Sequence, residues 1–214
     1  MSLRACYHRL AARDRRAAPG LDGAAMAEHV LVIGGTGMLK DACLALAATG
    51  RVVSVVGRDP DRLEAMMMDA SAAGNMLSPL QVDYTSTDEF TRAIRTAIER
   101  FGPIDTVLAW VRSWASETLP ALAREVSAAG RPWRLFHVRG SASGELPAGG
   151  SLPDAVPAGG LCAYREIRLG FVREPGGSRW LTDEEICSGV LGAVESDASF
   201  VVGVLEPWEE RPSA

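Results

Sequence analysis

The stretch HVLVIGGTGMLK, residues 29–40, contains the two features that decide the fold. Its apolar run at 30–33 is short and β-branched, which is typical of a strand buried on both faces of a parallel sheet. Glycines at positions 34, 35 and 37 follow directly. They let the backbone turn tightly and approach a ligand, and the first amides of a following helix point toward that ligand. The stretch therefore predicts a strand, a turn and a helix that bind a diphosphate.

A second strand supports this interpretation, because a lone glycine-rich turn is weak evidence of a nucleotide site. Residues 52–56 form another apolar run, which ends at Gly57-Arg58-Asp59. In dinucleotide-binding folds, the end of the strand about 20 residues beyond the turn contacts the adenosine ribose. The spacing therefore predicts a dinucleotide site.

Strands and helices alternate in the rest of the N-terminal two thirds. Further strands are predicted at 77–82, 106–111 and 134–138, with helices at 38–49, 59–68, 85–101 and 116–129. This alternation with short connections predicts an α/β fold, a doubly wound parallel sheet of the Rossmann type.

The C-terminal part departs from this alternation. Residues 140–160 are rich in glycine and proline, so no regular helix is expected after the fifth strand. Beyond them we predict a strand at 163–172, a turn at 174–177, a capping box at 182–185 that begins a helix, and a last strand at 200–205. The fold is therefore expected to be one domain with an irregular C-terminal part.

The composition restricts the possible partners. The chain has 214 residues and a net charge of −5, which fits a single globular domain and argues against nucleic acid as the main partner. No apolar run approaches the roughly 20 residues of a membrane span, so no membrane association is expected. The four cysteines lack metal-binding spacing. We therefore expect reduced thiols, no metal site and a cytoplasmic location.

Residues 1–27 precede the first predicted strand and are rich in alanine and arginine. Such a leader is compatible with an organelle transit peptide. Alternatively, translation begins at Met26, directly before the strand. In both cases we expect residues 1–27 to lie outside the domain, which then spans 28–214.

Three segments in succession, VLVIGGTGML, VVGRDPDRL and VDYTSTDE, resemble the short-chain dehydrogenase/reductase superfamily over roughly residues 28–140. The resemblance implies a nicotinamide dinucleotide cofactor, a small-molecule substrate and a homo-oligomer. It also implies that the cofactor contacts the glycine turn and the ends of the third and fourth strands: Gly34, Gly35, Thr36, Gly37, Met38, Leu39, Asp83, Tyr84, Ala109, Trp110 and Val111.

Arg58 favours NADP over NAD as the cofactor. Gly57 stands where NAD-dependent members carry a ribose-binding carboxylate, and the guanidinium of Arg58 can pair with a 2′-phosphate. Two alternatives stay open, namely that Arg58 is only an exposed charge at a helix start, or that Asp59 is the missing acid displaced along the chain. Lys40, the only lysine, either points away from the site or reaches a phosphate.

The catalytic half does not match the family pattern. The family carries Tyr-x-x-x-Lys on a helix, where the lysine lowers the pKa of the tyrosine. Here the segment Tyr164-Arg165-Glu166-Ile167-Arg168 has arginine in that place and alternates like a strand. The candidates for a substituted catalytic site are Tyr164, Ser141 and Arg168, and weaker ones are Ser143, Arg112 and His137. Each also has a purely structural interpretation.

The sequence thus predicts an NADP(H)-binding oxidoreductase that acts on a small carbonyl or imine substrate with a non-standard proton donor. One alternative is a non-catalytic protein that senses the dinucleotide or acts as a scaffold. Another is a redox-neutral isomerase or cyclase on the same fold.

Overall fold

The computed structural model describes residues 27–141 and 160–212. Its strands are β1 (His29–Ile33), β2 (Val52–Gly57), β3 (Leu77–Gln81), β4 (Thr106–Trp110), β5 (Trp133–Gly140), β6 (Cys162–Leu169), β7 (Phe171–Glu174), β8 (Gly177–Trp180) and β9 (Phe200–Val202). Its helices are α1 (Lys40–Ala47), α2 (Pro60–Ala72), α3 (Thr87–Phe101), α4 (Thr118–Ser127) and α5 (Asp183–Ser196).

Seven of these strands form one parallel sheet in the order β3-β2-β1-β4-β5-β6-β9. Apolar side chains pack on both of its faces, with α1, α2 and α5 on one side and α3 and α4 on the other. The predicted doubly wound parallel sheet is confirmed. Because the strand order reverses between β1 and β4, a crevice is expected at the carboxyl ends of these strands.

The C-terminal part is more regular than predicted. β6, α5 and β9 continue the sheet and its helical layer, and β7 and β8 form a separate antiparallel hairpin. The single strand predicted at 163–172 is two strands that meet at Gly170, where the main chain of Val204 packs so closely that no Cβ fits. The predicted capping box is confirmed, since Thr182 and Glu185 each bind the other's backbone amide.

Three expectations concern residues outside the described ranges. They are the placement of residues 1–26, the missing helix within 142–159, and any role of Ser143. Within 27–141 and 160–212, no helix combines the length and the apolar character needed to cross a bilayer.

Candidate functional site

A cavity of about 130 Å³ opens at the carboxyl ends of β1, β2 and β3. Predicted cofactor residues from three separate segments line it, namely Gly34, Thr36, Arg58, Asp83 and Tyr84. The fold therefore brings together, on one side of the strand-order reversal, residues that the sequence analysis assigned to a dinucleotide. We call this space the adenosine cleft.

Gly34 is required by two features of the turn that follows β1. Its φ of 82° is a left-handed conformation that L-residues with side chains rarely adopt. A Cβ at this position would also lie 3.0 Å from the carbonyl oxygen of Trp110 and 3.1 Å from its Cβ. The turn thus packs directly against the end of β4, and the indole of Trp110 also reaches Gly140 at the end of β5, where a Cβ would lie 3.7 Å from its Cη2.

Three of the predicted cofactor residues are buried. Leu39 and Ala109 are fully buried among apolar side chains. A Cβ on Gly35 would lie 2.8 Å from both Cys43 Sγ and Val55 Cγ1, so this glycine permits close packing of α1 on the sheet. The side chains of Leu39 and Ala109 therefore face the core, and contact of these three residues with the cofactor stays a prediction.

Lys40 and Asp59 both have partners away from the cleft. The ammonium group of Lys40 pairs with Asp69 of α2 at 2.7 Å. The carboxylate of Asp59 caps α2 by accepting hydrogen bonds from the amides of Asp61 and Arg62. The geometry therefore favours neither a phosphate contact by Lys40 nor a ribose contact by Asp59.

The end of β2 has no space for a side chain at position 57. A Cβ on Gly57 would lie 2.6 Å from Cγ2 of Thr36 and 3.2 Å from Cδ2 of Leu63. A carboxylate at this position would clash with the glycine turn unless Thr36 moved. The adjacent Arg58, by contrast, has a side chain that is 77% exposed and lines the cleft.

Asp83, at the end of β3, is the carboxylate of the cleft. It accepts hydrogen bonds from the amide of Thr85 at 3.0 Å and from its hydroxyl at 2.8 Å. These bonds lower the pKa of Asp83, and the guanidinium of Arg58, 3.9 Å away, adds to the effect. Asp83 is thus charged at neutral pH, and Thr85 is a lining residue that the sequence analysis missed.

Tyr164 lies far from this cleft. It is on β6, 2% exposed, opposite Leu135. Its hydroxyl is 3.0 Å from Nδ1 of His137 and donates to Glu166 at 3.3 Å. Five residues separate Tyr164 from the end of β6, which is roughly 16 Å along an extended strand. The structure confirms the predicted strand and does not bring Tyr164 to the edge where the cofactor is expected.

The environment of Tyr164 also opposes proton donation. Burial, followed by the charge of Glu166, raises the pKa of Tyr164 well above its usual range. Burial, followed by the charge of Arg139, lowers the pKa of His137 to about 4. Both groups are therefore neutral at neutral pH, whereas an efficient general acid has a pKa close to the working pH.

Arg168 and Ser141 come together at the carboxyl ends of β5 and β6. The guanidinium of Arg168 donates to the carbonyl oxygen of Ser141 at 3.1 Å and lies 3.5 Å from Glu166. Arg139, opposite Arg168 on β5, pairs with the other oxygen of Glu166 at 3.0 Å. Charged residues within otherwise apolar strands were the only sequence feature that indicated this buried cluster.

We call this group of five side chains the β5–β6 polar cluster; its members are His137, Arg139, Tyr164, Glu166 and Arg168. It shares no residue with the lining of the adenosine cleft. Arg112, a weaker catalytic candidate from the sequence, lines the cleft together with Trp114.

The family model for short chain dehydrogenase matches residues 28–111, which include the glycine turn and the ends of β2, β3 and β4. A search of curated proteins found no match.

Solved structures of short-chain dehydrogenases share the fold. One is a short-chain type dehydrogenase/reductase from Mycobacterium marinum, with 17% identity, a TM-score of 0.63, and coverage of 95% of this chain and 97% of that one. Another is a citronellol catabolism dehydrogenase from Pseudomonas aeruginosa PAO1, with 16% identity, a TM-score of 0.61, and coverage of 87% and 95%. A third, a short-chain dehydrogenase/reductase from Serratia marcescens, has 16% identity, a TM-score of 0.62, and coverage of 84% and 96%.

At these identities the solved structures establish the fold alone, and the match over residues 28–111 adds the family's sequence pattern in the nucleotide-binding half. Residues 28–111 thus match the short chain dehydrogenase family model, and the chain has the fold of solved short-chain dehydrogenases.

Proposed function

We propose that this protein is an NADP(H)-dependent oxidoreductase that acts on a small carbonyl or imine compound. The observation that carries the cofactor assignment is the end of β2, where Gly57 has no space for a carboxylate and Arg58 reaches into the adenosine cleft. A guanidinium suits a 2′-phosphate, whereas the ribose-binding acid of NAD-dependent members has no counterpart here.

The remaining residues of the cleft fit the same cofactor. Gly34 permits close approach of the backbone at the start of α1, and the first amides of that helix lack intrahelical partners. Tyr84 and Asp83 stand at the adenine side. NADPH, when bound, supplies a hydride, and the residues of this chain bind and orient it.

For the substrate side we propose Ser141 and Arg168 rather than Tyr164. Arg168 holds the end of β5 by its bond to the Ser141 carbonyl, next to the strand ends where the nicotinamide is expected. Arg168 is thus a positioning residue, and Ser141 is the candidate for contact with the substrate. A cytoplasmic location and a homo-oligomeric state are also part of this proposal.

A second candidate is a protein that binds the dinucleotide without turnover. The burial of Tyr164 and its raised pKa favour it, because the family's proton donor is then absent from the cleft. The two candidates share the cofactor site and differ in chemistry. Oxidation of NADPH across a panel of carbonyl and imine compounds separates them.

Calorimetric titration of the full chain with NADPH and NADH tests the shared cofactor site. We expect tighter binding of NADPH, and Arg58→Ala is expected to weaken NADPH binding about tenfold or more, the effect of losing a charge-assisted hydrogen bond. NADH binding is expected to stay unchanged. Arg62→Ala, which removes a neighbouring exposed arginine, is the matched control. Preference of the unmodified protein for NADH would overturn the assignment.

A further inference from the structure

The loop between β4 and α4, residues 111–117, forms a wall of the adenosine cleft. Arg112 and Trp114 of this loop line the same cavity as Gly57 and Arg58, which lie at the end of β2. By the family resemblance, the end of β4 contacts the ribose on the nicotinamide side. In this chain, the loop that follows β4 also reaches the cavity at the end of β2, where the adenosine end of the cofactor is expected.

The loop is held at both ends. At its start, β4 ends at Trp110, which packs against Gly34. At its other end, the hydroxyl of the buried Thr118 donates to the carbonyl oxygen of Tyr84 at 3.3 Å. Between them, a turn is closed by the bond from the Ala115 amide to the Arg112 carbonyl. These bonds place the loop across the ends of β1 and β3, beside the cleft.

The charges of the cleft favour an anion. Two guanidiniums, those of Arg58 and Arg112, line it together with one carboxylate, Asp83. That carboxylate already accepts two hydrogen bonds from Thr85. The lining therefore carries an excess of positive charge, which suits a phosphate dianion next to a ribose.

Trp114 adds an aromatic surface to the same wall. Its side chain is 67% exposed, although tryptophan is highly buried on average. A purine ring is flat and apolar on both faces, and stacking on an exposed indole covers both partners. The position of Trp114 beside Tyr84, at the predicted adenine side, suits such stacking.

We infer that residues 111–117 complete the recognition of the adenosine 2′-phosphate. Arg112 is the second cation for the 2′-phosphate, opposite Arg58, and Trp114 stacks on the adenine. This inference rests on the proposed NADP(H) function and adds two residues of the loop after β4 to a site otherwise built at the ends of β1, β2 and β3.

Binding of adenosine nucleotides, without any turnover, tests the inference. The full chain is titrated by calorimetry with 2′,5′-ADP and with 5′-AMP, which lacks the 2′-phosphate. We expect Arg112→Ala to weaken 2′,5′-ADP about tenfold and to leave 5′-AMP nearly unchanged, since it removes a charge-assisted bond to the 2′-phosphate alone. Trp114→Ala is expected to weaken both nucleotides about fivefold or more, and Trp114→Phe to restore most of the loss.

Arg92→Ala and Trp180→Ala are the matched controls, because both side chains are exposed and lie outside the cleft. Circular dichroism verifies that each variant is folded. Unchanged nucleotide affinities in both loop variants would overturn the inference. Equal loss of both nucleotides in Arg112→Ala would place the guanidinium on the 5′-phosphate and also overturn it. Failure of the unmodified protein to bind 2′,5′-ADP would instead contradict the NADP(H) proposal itself.

Discussion

The adenosine cleft and the β5–β6 polar cluster use the same residue types in opposite ways. In the cleft, Arg58 is 77% exposed and lies 3.9 Å from its nearest carboxylate, Asp83. In the cluster, Glu166 is 1% exposed and lies between Arg139 and Arg168. Charges in the cleft are available to a ligand, whereas those in the cluster are already paired within the protein.

The difference follows from where each residue lies relative to its strand. Arg58 comes directly after β2, so its side chain extends beyond the sheet. Glu166 and Arg168 lie inside β6 on one face, where the neighbouring strand supplies Arg139. A buried charge needs a partner, whereas an exposed one does not. We therefore interpret the cleft as the ligand site and the cluster as a separate structural element.

The largest expected effect comes from removing the carboxylate of the cluster. Glu166→Ala leaves the guanidiniums of Arg139 and Arg168 without their shared counter-charge. We expect the free energy of unfolding to fall by about 3–5 kcal/mol, as is usual when one member of a buried ion pair is removed. Urea denaturation measures this loss.

Two further measurements define the role of Glu166. Glu125→Ala breaks the more exposed pair with Arg95 and is expected to change the stability much less. Affinity of the folded Glu166→Ala protein for 2′,5′-ADP is expected to equal that of the unmodified protein. Loss of nucleotide binding without loss of stability would show that the cluster belongs to the ligand site.

The parts of the fold that sequence predicted are those fixed by local pattern. Short apolar runs located β1, β2 and β4, and the capping box at Thr182 located the start of α5. The break at Gly170 escaped prediction because it depends on Val204, which is distant in sequence. The hairpin strand β8 was missed because its residues, Gly177–Trp180, lack an apolar alternation.

In the site, too, features that follow from neighbouring residues were predictable, and features that depend on residues distant in sequence were not. Gly34, Arg58 and Asp83 line the same cavity because each lies within two residues of the end of a strand. Leu39 and Ala109 were assigned by position in the family pattern, which does not give the direction of a side chain. The partners of Tyr164 lie on β5 and on β6 itself, and only the parallel register reveals them.

A smaller effect is expected at the end of β2, where the cleft excludes an acid. Gly57→Asp places a Cβ 2.6 Å from the methyl group of Thr36. We expect a loss of about 1–3 kcal/mol in unfolding free energy, the usual cost of overpacking, and no gain in NADH affinity. Adding Thr36→Ser removes the methyl group. The double variant is expected to recover stability and to bind NADH more tightly than the unmodified protein does.

Urea denaturation and calorimetric titration of both variants test this expectation, with Thr36→Ser alone as the control. Tight NADH binding by a fully stable Gly57→Asp protein would show that Thr36 does not limit the space at this position. The cofactor preference would then depend on Arg58 alone.

The smallest expected effect is that of Tyr164→Phe, and it tests most directly whether the β5–β6 polar cluster is independent of ligand binding. Tyr164→Phe removes a hydroxyl that bonds His137 and Glu166 and keeps the packing of the ring. Because Glu166 keeps both arginines, we expect a loss of only about 1 kcal/mol in unfolding free energy. NADPH affinity and NADPH-linked turnover are expected to stay unchanged.

Ser141→Ala is the contrasting variant, and it is expected to lower turnover without lowering stability. If the Tyr164 hydroxyl acts only within the β5–β6 polar cluster, its removal changes the stability and leaves turnover unchanged. A large fall in turnover of Tyr164→Phe at unchanged stability would mean that Tyr164 reaches the substrate.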